Sequence, residues 1–254
     1  IMKKYLITGG AGFIGSCLVR RLVNSGNIVC VVDKLTYSSN LSNIFNEFKN
    51  KKFKFKKIDI SNYGKILKCI KTFKPDIIFN LAAESHVDRS IDNNYPFIKS
   101  NIIGTHSILE AARIYYSKLQ IKKKKSFKII HISTDEVYGD LKNNKKLFCE
   151  KTRYDPSSPY SASKASSDHL VKAWYKTYGI PIIITNCSNN FGPYQHPEKL
   201  IPLMIISAIQ EKKLPVYGNG LQVRDWIYVE DHITALIKIS QKGRFGNTYN
   251  IGGN

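Results

Sequence analysis

At 254 residues the chain can bury a full core, and its length suggests one or two domains. With 43% hydrophobic and 23% charged residues it reads as an ordinary globular protein, and no apolar run approaches the ~20 residues of a membrane span. A formal net charge of +20 raises nucleic-acid binding, but seven of the 39 basic residues are Arg and the rest Lys. With abundant Ile and Asn, that is the mixture AT-rich codon usage produces, and no nucleic-acid partner is expected.

"KYLIT" (4–8) has the apolar pattern of a strand and leads through a glycine loop into "FIGSCLVRRLVNSG" (13–26), where Ile14, Leu18 and Leu22 recur at helical spacing. "NIVCVVD" (27–33) predicts a second strand and "FKFKKID" (53–59) a third. "YGKILKCIKTFKPD" (63–76) is helical until Pro75, and "IIFNLAA" (77–83) is a buried strand. A helical pattern from about Tyr95 to Leu119 is followed by "KKKK" (122–125), expected as a solvated loop, and by strand "KIIHIS" (128–133). "SASKASSDHLVKAWYKTYG" (161–179) predicts a helix and "PIIITNC" (181–187) a strand. From about Asn190 the alternation breaks up, and "LIPLMIISAI" (200–209) is expected as a buried helix.

Regular strand–helix alternation predicts an α/β fold: a Rossmann-type doubly wound parallel sheet over 1–188, with a smaller substrate lobe over 189–254 interleaved with it. Ligands of such sheets sit beyond the carboxyl ends of the strands. A strand pattern at the very start leaves no room for a signal peptide. Five scattered cysteines without a C-x-x-C pair suggest reduced thiols in a cytoplasmic compartment and no metal site. Ile1 ahead of Met2, and a stop at "YNIGGN" (249–254), suggest a piece of a longer chain.

"TGGAGFIG" (8–15) places Gly9, Gly12 and Gly15 between the first strand and first helix, where backbone can approach a pyrophosphate. Asp33 ends the second strand 18 residues past Gly15, positioned to accept ribose hydroxyls and to repel a 2′-phosphate. This points to NAD over NADP, with Lys34 pulling slightly the other way.

A Tyr-x-x-x-Lys pair should arise roughly twice by chance in this composition; three occur, Tyr95/Lys99, Tyr138/Lys142 and Tyr160/Lys164. Only Tyr160/Lys164 opens the helix after the fifth strand. A phenol's reference pKa of ~10 is high for a base at neutral pH, and a nearby ammonium is expected to lower it. "HISTDEVYGD" (131–140) sets Thr134, Asp135 and Glu136 side by side at a strand end. They could be a helix cap, a solvated turn or an acid–base pair. Two consecutive carboxylates can converge on one ligand only if the strand ends there and the backbone turns.

The glycine loop, the Tyr-x-x-x-Lys pair and the fold pattern resemble the extended short-chain dehydrogenase/reductases. "DKLTYSSN" (33–40), "LAAESHVDRSI" (81–91), "STDEVYGD" (133–140), "PYSASKASSDHLV" (159–171), "NCSNNFGPYQHPEKLIP" (186–202) and "VRDWIYVEDH" (223–232) resemble, in order, the dTDP-glucose 4,6-dehydratase family. That family runs roughly another 70–100 residues, so part of the sugar-nucleotide lobe is expected to be missing. Ser100 stands where the family usually has Thr, and His196 where an aromatic is common.

The resemblance implies a reaction. Tyr160 takes the proton of the sugar's 4-hydroxyl as C4 gives hydride to NAD⁺, helped by Lys164; Thr134 bonds the 4-oxygen region. Glu136 removes the C5 proton, Asp135 protonates the departing 6-hydroxyl, and hydride returns to C6. By the same resemblance, Phe13, Ile14, Asp33, Lys34, Leu35, Thr36, Asp59, Ile60, Leu81, Ala82, Ala83, Ser100 and Asn190 join the glycines, Tyr160 and Lys164 around NAD. Ser85, Asn189, Lys199, Leu200, Pro215, Tyr217 and Arg224 line the sugar nucleotide, and the enzyme is a homodimer. From the residues alone, Asp59 can also be read as a strand-end cap, Lys199 as a solvated helix charge and Arg224 as a salt-bridge partner of Asp225 or Glu230. A sugar-nucleotide 4-epimerase needs no Asp–Glu pair; a UDP- or GDP-sugar dehydratase keeps it. An RNA-associating NAD-binding scaffold is the rival of another class.

Overall fold

The computed structural model describes residues 2–141, 147–216 and 219–253. In chain order, β1 (Lys4–Thr8), α1 (Phe13–Asn24), β2 (Ile28–Asp33), β3 (Phe53–Lys57), α2 (Tyr63–Phe73) and β4 (Ile77–Asn80) build the first half. There follow α3 (Val87–Asp92), α4 (Tyr95–Phe97), α5 (Gly104–Ser117), α6 (Ile121–Lys124), β5 (Lys128–Thr134), α7 (Pro159–Tyr178) and β6 (Ile182–Cys187). The chain ends through β7 (Asn189–Phe191), α8 (Leu200–Ile209), β8 (Trp226–Tyr228), α9 (Val229–Lys242) and β9 (Thr248–Ile251).

Among the described residues seven strands form one sheet in the order β3-β2-β1-β4-β5-β6-β9, and every pairing is parallel. Strand alternation divides its side chains between two apolar layers. Tyr5, Ile7, Val29 and Val31 meet Leu18 and Leu22 of α1 and Ile233 and Leu236 of α9 on one face. Leu6, Cys30 and Val32 meet Ile66 and Ile70 of α2, Ile108 and Leu109 of α5 and Val171 of α7 on the other. The strand order reverses at β1 and β4, so the connections that leave their carboxyl ends turn to opposite faces and open the crevice that this topology reserves for ligands.

Beyond β6 the chain serves two places. β7 pairs with β8 in a separate parallel ribbon, while α9 and β9 return to the main sheet. "KKKK" is not a loop: Ile121–Lys124 form one helical turn, tied down by an ion pair between Lys123 and Asp76. The expectation of a buried helix at 200–209 also needs correction. The helix forms, but only Ser207 is buried, and Ile205 and Ile209 are 55% and 77% exposed. Its apolar residues belong to neither layer of the core; hydropathy reports what a segment would bury, not whether a neighbour lies on it. Among the described residues no helix is long and apolar enough to cross a membrane.

Candidate active site

The carboxyl ends of β1, β4, β5 and β6 open into one cavity of about 380 Å³. Its floor is the glycine turn. Gly9 sits at φ +70°, and a Cβ there would stand 2.8 Å from the Ala82 backbone. At Gly15 a Cβ would come within 2.1 Å of the Gly9 carbonyl, so only glycine lets α1 seat against the turn. Gly12 is the N-cap of α1 and supplies no side-chain cap, which leaves first-turn amides of a twelve-residue helix facing the cavity.

Asp33, 4% exposed, closes the end of β2: its Oδ2 accepts the amide of Ala11 at 3.0 Å and its Oδ1 that of Leu35 at 2.8 Å. Lys34 is neutralised locally. Its Nζ donates to Ser100 Oγ at 2.8 Å and pairs with Glu84 at 3.0 Å, so its charge does not stand free to attract a 2′-phosphate. Asp59 accepts the amide and hydroxyl of Ser61 at 2.9 and 2.8 Å, the strand-end cap that its position allows.

β5 ends at Thr134, and the backbone turns at once into a 3₁₀ turn, Asp135–Tyr138. Thr134 Oγ1 accepts the amide of Glu136 and donates to Asp135 Oδ1, both at 3.3 Å. The triplet is therefore a cap as well as a carboxylate pair. Glu136 lines the cavity; Asp135, half-buried, is not part of its wall. Burial pushes both carboxyls above their ordinary range, and their further surroundings differ. Asp225 raises Asp135 further, against the Thr134 hydrogen bond, whereas Lys199 and Arg224 pull Glu136 back toward ionisation against Asp135.

Tyr160 and Lys164 open α7, whose start is set by a Ser158/Ser161 capping box and a proline in the first turn. Both side chains are buried, at 8% and 5% exposure, and both line the cavity. Lys164 Nζ donates to the Ile132 carbonyl at 2.7 Å. The expected lowering of the phenol's pKa is not what the protein groups produce by themselves. Burial, and then the Glu136 carboxylate, hold Tyr160 well above 10, opposed by a hydrogen bond with Thr134. Burial lowers the pKa of Lys164 as well, which weakens the cation that was to stabilise the phenolate.

The family model described as GDP-mannose 4,6 dehydratase matches residues 6–254. A dTDP-glucose 4,6-dehydratase of Neisseria meningitidis serogroup B (strain ATCC BAA-335 / MC58) is 54% identical over 253 residues, covering 99% of this chain and 71% of its own. The crystal structure of dTDP-glucose 4,6-dehydratase from Bacillus anthracis str. Ames in complex with NAD superposes with a TM-score of 0.89 at 45% identity, covering 100% of this chain and 76% of that one. DesIV, the dTDP-glucose 4,6-dehydratase from Streptomyces venezuelae with NAD and TYD bound, gives 0.91 at 39% identity, over 99% and 76%. The chain belongs to the dTDP-glucose 4,6-dehydratase family.

Of the residues that the family resemblance brings to the cofactor, all but Leu35 and Asp59 line the cavity. Leu35, at φ +60°, instead packs against the core. Of those brought to the sugar nucleotide, Ser85, Thr134, Asn189, Lys199 and Leu200 line the wall. Lys199 is held there by a bond from its Nζ to the Ser85 carbonyl at 3.3 Å. Pro215 and Arg224 stand outside the wall, and Tyr217 lies outside the described residues. Arg224 makes neither anticipated salt bridge: its Nη1 donates to the Val223 carbonyl at 2.9 Å, and Glu230 pairs with Arg21 at 3.7 Å. Sequence reasoning missed Ser133 and Cys187, at the carboxyl ends of β5 and β6, and left His196 without a role; all three line the cavity. The strand-end rule alone could have found the first two.

Proposed function

We propose that the chain converts dTDP-glucose to dTDP-4-keto-6-deoxyglucose, an NAD-dependent dehydration. The observation that carries this is the turn at Asp135–Glu136, which brings the Glu136 carboxyl into the cavity wall with Tyr160 and Lys164 and keeps Asp135, in unlike surroundings, next to it just outside that wall. The cavity suits NAD: an uncapped helix N-terminus faces it, Gly12 gives the pyrophosphate room, and Asp33 is fixed at the end of β2 where ribose hydroxyls would lie. When bound, NAD⁺ accepts the hydride from C4 and returns it at C6.

The chain's own groups move the protons. Tyr160 takes the proton of the 4-hydroxyl as a phenolate, which Lys164 stabilises beforehand, and is left a neutral phenol. Glu136, the carboxyl with two cations in reach, is the base at C5. Asp135, raised by burial and by Asp225 with no cation acting against them, gives its proton to the leaving 6-hydroxyl. Residues 189–254 supply part of the sugar-nucleotide lobe, interleaved with the sheet. The working enzyme on this reading is a cytoplasmic homodimer that needs no nucleic acid.

The test compares turnover of dTDP-, UDP- and GDP-sugars and then follows C5. Glu136→Gln should lower dehydration by about 10²–10⁴ and stop solvent deuterium from entering C5. Full activity of Glu136→Gln would remove the base assignment, and a preference for UDP- or GDP-sugars would remove the substrate.

A further inference from the structure

Beneath the cavity lies a chain of buried polar groups that the reaction does not use. Asp168 is fully buried, at 0% exposure, one turn beyond Lys164 on α7. Its Oδ2 accepts two hydroxyls, Ser133 at 2.8 Å and Tyr154 at 3.0 Å. Its Oδ1 lies 3.2 Å from His131 Nε2, but that N–H is not aimed at it, and among the described residues Oδ1 has no aligned donor.

The hydrogens around His131 decide its charge. The amide of Ala82 donates to Thr8 Oγ1 at 3.1 Å, and Thr8 donates to Asn80 Oδ1 at 2.7 Å. Asn80 therefore presents its Nδ2 to His131 Nδ1, 3.1 Å away, and Nδ1 must accept. Across the ring, Ser167 donates its hydroxyl to the Lys164 carbonyl at 2.7 Å, so at 3.2 Å from Nε2 it accepts. His131 thus carries one proton, on Nε2, and is neutral; burial acts in the same sense by pulling its pKa down.

With the imidazole neutral, the buried cation that answers Asp168 is Lys164, one turn earlier on the same helix. Farther along α7, Lys172 lies over the ring of Tyr154 and His169 beside it; three more titratable groups stand around the pair, Tyr138 in the turn after β5, Tyr154 ahead of α7 and Cys187 on β6. Burial raises the pKa of each, Cys187 to about 12, so none is charged at neutral pH. Asp135 and Glu136 act on Tyr160, whereas Lys164 feels burial first and Asp168 next. We propose that Asp168 is a positioning residue of the dehydration: the buried counter-charge, oriented by Ser133 and Tyr154, that keeps the Lys164 ammonium charged at the site of Tyr160. This rests on the dehydratase reading.

Asp168→Asn keeps the shape and removes the charge. The alkaline limb of kcat on dTDP-glucose, where Lys164 loses its proton, should move down by about 1–3 pH units, and Asp168→Glu should restore most of it. NAD⁺ affinity, measured without sugar nucleotide, reports the same group. The Asn variant should bind like the unaltered chain near about pH 6.5 and about tenfold or more weakly near about pH 9, whereas a purely structural defect would weaken binding at both. An unaltered chain inert on dTDP-glucose, with the variant's NAD⁺ profile still shifted, would sink the substrate and spare the counter-charge. An unmoved NAD⁺ profile in folded Asp168→Asn overturns the counter-charge. If Asp168→Asn does not fold, Asp168→Asn/Lys164→Met decides. Removing both charges should recover a folded protein, and a double variant no more stable than Asp168→Asn refutes the pairing.

Discussion

Two glycines of the cofactor turn, three residues apart, should fail in different ways when given a methyl group. At Gly15 the added Cβ would lie 2.1 Å from the Gly9 carbonyl oxygen and 2.9 Å from Gly10 Cα, both backbone atoms that cannot rotate aside. Relieving such an overlap means lifting α1 from the turn, at about 1–3 kcal/mol or more. For a chain of this size that is a fall of about 2–12 °C in melting temperature. At Gly12 the nearest atom to an added Cβ is the same oxygen at 3.4 Å, an ordinary contact, and the backbone there (φ −77°, ψ −179°) suits any residue. Gly12→Ala should melt within about 2 °C of the unaltered chain. Its methyl, however, occupies space at the helix N-terminus where a pyrophosphate would approach, and NAD⁺ affinity should fall at least about tenfold, about 1.4 kcal/mol. The assay is thermal melting without cofactor beside NAD⁺ titration. Equal melting of the two variants, or undiminished NAD⁺ binding by Gly12→Ala, would refute the assignment of one glycine to the fold and the other to the ligand.

Glu136 links function to stability. Because burial raises its folded pKa above the ordinary 4.5, its contribution is complete below that pH and is lost as the pH rises through the folded value. Glu136→Gln should therefore melt higher than the unaltered chain at about pH 8, with the gain vanishing below about pH 4; a constant difference would count against it. His232 has the opposite sign. It is buried neutral, its Nδ1 donating to Asn190 Oδ1 at 2.7 Å, with a pKa pulled down from 6.5 to about 4. Stability present above pH 6.5 is lost as the pH falls toward about 4, by an amount of order 3 kcal/mol, and melting curves of His232→Gln should show a flatter acid limb. Leu18→Ala, in the core against β1 and β2, should cost about 2–5 kcal/mol, while Ile209→Lys on the exposed α8 should stay within about 0.5 kcal/mol. Denaturant midpoints read both, and a large loss at Ile209 would mean that α8 is covered in solution.

The parts legible from sequence are those whose physics is local. Strand period put Tyr5 and Ile7 opposite Leu6, turn chemistry named Gly9, and spacing along one helix joined Tyr160 to Lys164. The illegible parts are partnerships across long stretches of chain. Glu84 neutralises Lys34 fifty residues away, β9 adds itself beside β6, and α8 keeps an apolar face that hydropathy assigned to the interior. The carboxylate corner shows both kinds at once. That the strand stops at Thr134 is a local property of its cap; that Asp135 feels the charge of Asp225 while Glu136 feels those of Lys199 and Arg224 is not. A parallel sheet turns this division into a rule for finding sites. It aligns the last residues of β1, β4, β5 and β6 along one edge, so Thr8, Asn80, Thr134 and Cys187 are all brought near the crevice by topology alone. Side-chain direction then separates them. Thr134 and Cys187 face the cavity, whereas Thr8 and Asn80 bond each other at 2.7 Å and carry the buried polar chain toward His131. Topology thus supplies the candidates, and the hydrogen-bond partners decide which of them meet substrate.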